Sequence, residues 1–189
     1  MKTSYAYWGK RFMDKKKKRS LTRGIILAVL AVAIVYTVFT AVTQEKKEAL
    51  KVGAEAPNFE VVDLEGNTFR LSDHRGEGVV LNFWGTWCEP CKREFPAMER
   101  QYKHFEKQGV NLIAINIEQT DLEVQTYVQN MGMTFPVAID KTRSILNAYS
   151  VKPLPTTILI NQDGIVEKVI TGEMTEAQIK AHFESIIPE

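Results

Sequence analysis

Apolar and polar positions follow two regimes along this chain. Residues 24–42, GIILAVLAVAIVYTVFTAV, run for nineteen residues without a charge or a polar face. After a polar stretch, apolar residues return from Pro57 onward as short runs and stripes. FEVVDL and NTFRLS flank Glu65-Gly66 and predict a hairpin. VVLNF (79–83) and VNLIAINI (110–117) are continuous apolar runs, the pattern of strands buried on both faces, and FPVAI (135–139) predicts a third. Between them, Met98, Tyr102 and Phe105 share one face of a helix expected from Cys88 to Gln108. Thr120 and Glu123 form a capping-box pattern, Val124, Val128 and Met131 make the stripe of the helix it opens, and Gly132 ends it. SILNAY (144–149) predicts a short helix.

The order then changes. TTILI (156–160) and IVEKVI (165–170) flank Asn161–Gly164, an antiparallel hairpin. Thr175 and Gln178 form a second capping box, and Ile179, Phe183 and Ile186 mark the inner face of a last helix. Strands alternating with helices and ending in a hairpin predict an α/β fold, a mixed sheet with helices on both faces. The aromatic and methionine stripes are core packing, and no cofactor is expected.

Charge gives the uncharged stretch its meaning. Residues 1–23 hold nine Lys and Arg against one Asp, whereas the rest holds fifteen basic and twenty-two acidic residues. A helix of nineteen residues spans roughly 28 Å, close to the hydrocarbon thickness of a bilayer. Lys15–Arg19 and Arg23 precede it, so the positive-inside rule keeps that end in the cytoplasm. The stretch exceeds a signal peptide's apolar region, and Thr40-Ala41-Val42 is a poor cleavage site. The expected organisation is a basic cytoplasmic tail (1–23), a transmembrane anchor in the lipid bilayer (24–42), a linker (43–56) and an extracytoplasmic domain (57–189). The basic run reads as a topology signal, not a nucleic-acid site, since no aromatic-rich patch accompanies it.

Outside the membrane thiols tend to pair, and the chain's two cysteines, Cys88 and Cys91, stand three apart in WGTWCEPCKREFP. Zinc needs four ligands, and His74, His104 and His182 are scattered, so no metal is expected. A bridge over so short a loop stabilises little. A redox pair fits best. Cys88 lies where a buried strand gives way to a helix, whose free N–H groups and dipole favour a thiolate. Pro90 suits a first turn because it has no N–H to lose. Cys88 is then the attacking thiol and Cys91 the resolving one.

NFWGTWCEPCKREFP resembles the thioredoxin active-site segment, including the later Pro96, and VKPLPTTILI resembles the segment carrying the thioredoxin cis-proline, here Pro155. The resemblance spans residues 57–189 and implies a thioredoxin-like fold. The N-terminal hairpin, the added helix-strand segment at 118–140, the anchor, CEPC followed by Glu94, and TGEMTEAQI are similar to the ResA-type membrane-anchored thiol-disulfide oxidoreductases of cytochrome c maturation. That likeness implies a protein-disulfide reductant. Its substrate would be oxidised apocytochrome c at Cys-x-x-Cys-His motifs, and its electrons would come from a membrane thiol carrier of the CcdA type. It implies substrate contacts at Trp87, Glu89, Pro90, Leu154 and Pro155.

One departure from thioredoxin stands out. Asn82 occupies the place of a buried Asp and cannot accept the proton of the inner thiol. Helix spacing puts Glu94 one turn past Cys91, either solvated or facing the sulfurs; the ResA pattern implies the latter, with a raised pKa and a part in proton exchange. Glu89 either tunes the thiols or simply favours the helix N-terminus. Other functions on the same fold are a reductase for a spore or cell-wall enzyme, a disulfide-forming oxidase or isomerase, and a thiol peroxidase. The last lacks the Pro-x-x-x-Thr-x-x-Cys context before Cys88. A docking module with incidental thiols is the non-enzymatic alternative.

Overall fold

The computed structural model describes residues 24–37 and 50–189, and the chain divides into two units, Met1–Lys47 and Glu48–Glu189. In the first unit, residues 24–37 form a helix, α1, whose side chains are exposed throughout. Among the described residues, no helix is long and apolar enough to cross a membrane. The expected span runs on through residues 38–42, which, like the expected tail (1–23) and residues 43–49 of the expected linker, lie outside the described residues.

In the second unit the run around VVLNF becomes the central strand, β3 (Gly78–Trp84), after a small separate hairpin of β1 (Glu60–Val62) and β2 (Thr68–Arg70). β4 (Val110–Ile117) lies parallel to β3 on one side, with β5 (Val137–Asp140) parallel beyond it. On the other side β6 (Thr156–Ile160) and β7 (Val166–Thr171) run antiparallel. The five-stranded order is β5-β4-β3-β6-β7, the mixed sheet the sequence predicts.

Side chains alternate across a strand, so β3 feeds two cores. Val80 and Trp84 join Phe95, Met98 and Phe105 of α2 (Glu89–Phe105), Val124 of α3 (Asp121–Met131), and Ile179 and Phe183 of α5 (Glu176–Glu184). Val79, Leu81 and Phe83 join Phe69, Leu71 and the residues Ile145 and Leu146 of α4 (Ser144–Ala148). Asn82 has the parity of the α2 face, which decides what it can touch.

Element ends differ from expectation for local reasons. α2 stops at Phe105 and tightens into a 3-10 turn over Glu106–Gln108, closed by Gly109 at φ 81°. β5 begins only at Val137, because Pro136 has no N–H for a ladder; Phe135 packs against Phe95 and Tyr102 instead. Both capping boxes form, at Thr120 and Thr175. Met131 lies outside the buried stripe, since the helix ends there and Gly132 turns left-handed at φ 63°.

Candidate active site

β3 delivers the chain to a tight turn, in which the Cys88 N–H donates to the Gly85 carbonyl at 3.0 Å. α2 begins one residue later with Cys88 as its N-cap: the Cys91 N–H donates to Cys88 Sγ at 3.3 Å. Cys88 and Cys91 are joined as a disulfide with Cα atoms 5.3 Å apart. Pro90 stands in the first turn, where no intrahelical donor is needed. A sulfur that already accepts a helix-terminal N–H keeps that partner as a thiolate, and the helix dipole adds to the effect. Cys88 is 5% exposed and Cys91 not at all, so the outer sulfur is the one a second protein can reach.

Around the pair, Trp87 is largely exposed and Glu89 projects to solvent, bonded to Lys92 at 2.7 Å, which draws its carboxyl below the usual range. Arg93 makes a bidentate pair with Glu173. The Leu154-Pro155 bond is cis; Pro155 is buried, and Leu154 packs against both cores.

Glu94 is 1% exposed. Its Oε1 accepts from Asn82 Nδ2 at 3.1 Å and its Oε2 from the Met174 N–H at 3.3 Å. Asn82 also donates to Thr157 Oγ1 at 3.0 Å, its cross-strand neighbour on β6. Burial pushes the Glu94 carboxyl up to about 7; the two hydrogen bonds oppose that shift, and the nearby charge of Glu173 reinforces it. The site therefore combines a disulfide at a helix start with a buried acid, one turn along, that titrates near neutrality. Such a group can take or give a proton as thiols form and break.

Residues 52–169 match the AhpC/TSA family. Over 174 residues the chain is 49% identical to the thiol-disulfide oxidoreductase ResA of Geobacillus thermodenitrificans, covering 92% of this chain and 99% of that protein. The Bacillus subtilis ResA matches at 49% over 92% of this chain and 97% of its own length. The chain belongs to the ResA family of thiol-disulfide oxidoreductases. Solved structures agree with this ResA-type fold. A putative thiol:disulfide interchange protein DsbE from Chlorobium tepidum superposes with a TM-score of 0.69 at 27% identity, covering 74% of this chain and 99% of that one. StoA from Bacillus subtilis gives 0.61 at 28%, covering 67% and 96%. The chain is thus a protein-disulfide oxidoreductase with a thioredoxin-like domain.

Helix spacing places Glu94 one turn past Cys91 but carries no sign of what holds the surroundings of the pair. Gln119 accepts at Oε1 from the Thr86 N–H (2.7 Å) and Asn116 Nδ2 (2.9 Å), and donates from Nε2 to Thr86 Oγ1 (2.6 Å). It is aimed there by Glu118, a non-glycine residue in left-handed backbone at φ 57°, a conformation costing on the order of 1 kcal/mol. Nothing in the local pattern marks Glu118 or Gln119; the adjacent capping box was the nearest signal. The Met174 N–H donor was equally invisible, being a main-chain group eighty positions from its acceptor.

Proposed function

We propose that this chain reduces the disulfide of oxidised apocytochrome c Cys-x-x-Cys-His motifs on the outer side of a membrane, so that haem can be attached. Residues 24–42 anchor it, the tail 1–23 lies in the cytoplasm, 43–56 is the linker and 57–189 the catalytic domain. The reduced Cys88 thiolate attacks one substrate sulfur, the substrate S–S bond breaks, and the released sulfur takes a proton. Glu94 removes the Cys91 proton; the Cys91 thiolate attacks Cys88 Sγ and frees the second substrate thiol. Two electrons pass to the substrate and Cys88–Cys91 closes. A CcdA-type membrane carrier restores the dithiol. Trp87, Glu89, Pro90, Leu154 and Pro155 form the surface that receives the substrate.

The observation that carries this reading is the pairing of an N-capping Cys88 with a buried Glu94 one turn beyond Cys91, in a chain aligned over nearly its whole length with ResA relatives. The charge asymmetry across residues 24–42 supports the anchor. Trapping tests it: with Cys91→Ser the mixed disulfide at Cys88 cannot resolve. Apocytochrome c should be recovered in the adduct, whereas recovery of cell-wall or spore enzymes alone would replace this substrate with those.

A further inference from the structure

A groove of about 400 Å³ is lined by Thr86, two residues before Cys88, and by Leu122, Glu123, Thr126, Tyr127 and Asn130 of α3. Leu122 is 75% exposed, and Trp87, the residue after Thr86, is 64% exposed. They are the two most exposed large apolar side chains of residues 50–189. Singly such residues need no explanation; Leu122 within the groove, and Trp87 in the chain between the groove residue Thr86 and Cys88, together point to a docking surface.

The Glu123 carboxylate and the Thr86 and Thr126 hydroxyls are already occupied, whereas the buried Tyr127 hydroxyl has no hydrogen-bond partner among the described residues. The Glu123 carboxylate accepts from the Thr120 N–H at 3.0 Å and the Thr120 hydroxyl at 2.7 Å, while the Thr126 hydroxyl donates to the Leu122 carbonyl at 2.7 Å. What remains on offer is chiefly apolar surface. Its walls are also fixed. Tyr127 packs on Trp84 and Phe95, and two hydrogen bonds between Gln119 and Thr86 tie Thr86 to the segment that opens α3. A preformed groove binds without first being ordered. Thr86 is two positions before Cys88, and an extended chain advances about 3.3 Å per residue. A substrate whose disulfide has reached Cys88 therefore brings its flanking residues to the groove.

We propose that this groove is a substrate subsite: it receives a large apolar side chain of the unfolded polypeptide within a few residues of the cysteine attacked by Cys88. The inference rests on the thiol-exchange reading above, and it makes Leu122 a specificity-determining residue outside the reacting centre.

The test uses the full chain in its reduced form and three oxidants: an oxidised Cys-x-x-Cys-His peptide flanked by leucines, its serine-flanked twin, and the small disulfide 5,5′-dithiobis(2-nitrobenzoate). The parent should show a lower KM for the leucine peptide. Leu122→Ser should raise that KM by about tenfold, as expected for one lost apolar contact. The kcat, the serine peptide and the small disulfide should be unaffected. Because Leu122 is exposed, the substitution leaves the fold intact. Equal KM values for the two peptides, or a Leu122→Ser change that falls on both alike, would overturn the subsite while leaving the thiol-exchange reading in place. Failure to reduce either peptide, with the small disulfide still consumed, would overturn the subsite together with the proposed Cys-x-x-Cys-His substrate, and failure with all three oxidants would overturn the thiol-exchange reading itself.

Discussion

At the scale of single residues, the site turns on how one carboxyl is kept in the core. Glu94 is buried with two hydrogen bonds but no cation among its partners; the neighbouring cations Lys92 and Arg93 are engaged by Glu89 and Glu173. Desolvation therefore wins, and its carboxyl sits near 7 against 4.5 for the free group. The sign of the stability effect follows. Below pH 4.5 both folded and unfolded chains hold the proton and there is no penalty. As pH rises from 4.5 to about 7 only the folded chain still holds it, and stability falls by on the order of 3 kcal/mol in all; above about 7 both states are ionised and the loss is complete. Glu94→Gln should remove this contribution, so between pH 5 and 7 the parent should lose several degrees of melting temperature relative to the variant. Thermal melts at a series of pH values check it, and parallel slopes would show that Glu94 is not the titrating group. The cysteine spacing and the i+3 position of Glu94 were legible because both are local. The partners that decide its pKa were not, because Asn82 reaches it through strand parity and Met174 through a loop from the far end of the domain.

Among the elements, the sequence was most informative where one residue's chemistry sets a boundary. Both capping boxes could be read from Thr and Glu or Gln three apart, and both form. Boundaries set by tertiary neighbours could not be. The late start of β5 depends on Pro136 and on where Phe135 finds aromatic partners, and the 3-10 turn over Leu71–His74 carries no periodic signal. The cap of α5 also has a reach beyond its own helix. Thr175 directly follows Met174, whose N–H holds Glu94, and in the same loop Gly172 donates to the Pro155 carbonyl at 2.9 Å. Thr175→Ala leaves the Gln178 N–H without its acceptor and should cost about 1 kcal/mol. A urea titration should show a lower midpoint with an unchanged slope. A larger loss accompanied by an altered pH dependence would mean that the cap also fixes the loop above Glu94.

For the whole molecule, the direction of electron flow is a statement about which redox form folds better. A pair acts as a strong oxidant when its reduced form is stabilised, as in DsbA, and as a reductant when it is not. Here the helix terminus favours the Cys88 thiolate, but the remaining surroundings oppose a buried anion. Cys91 is fully buried, the nearest buried ionisable group is an acid rather than a base, and the adjacent cations point into surface ion pairs. An anion in such a place is disfavoured by desolvation and by any ionised Glu94. The reduced protein should therefore be the less stable form, melting several degrees below the oxidised one, since about 1 kcal/mol corresponds to roughly 2–8 °C in domains of this size. Paired thermal melts of the protein with and without reductant, above pH 7 where Glu94 is ionised, give the sharpest contrast. A reduced form that melts higher would place the pair with the oxidants, and the proposed reduction of a substrate disulfide would then run in the wrong direction.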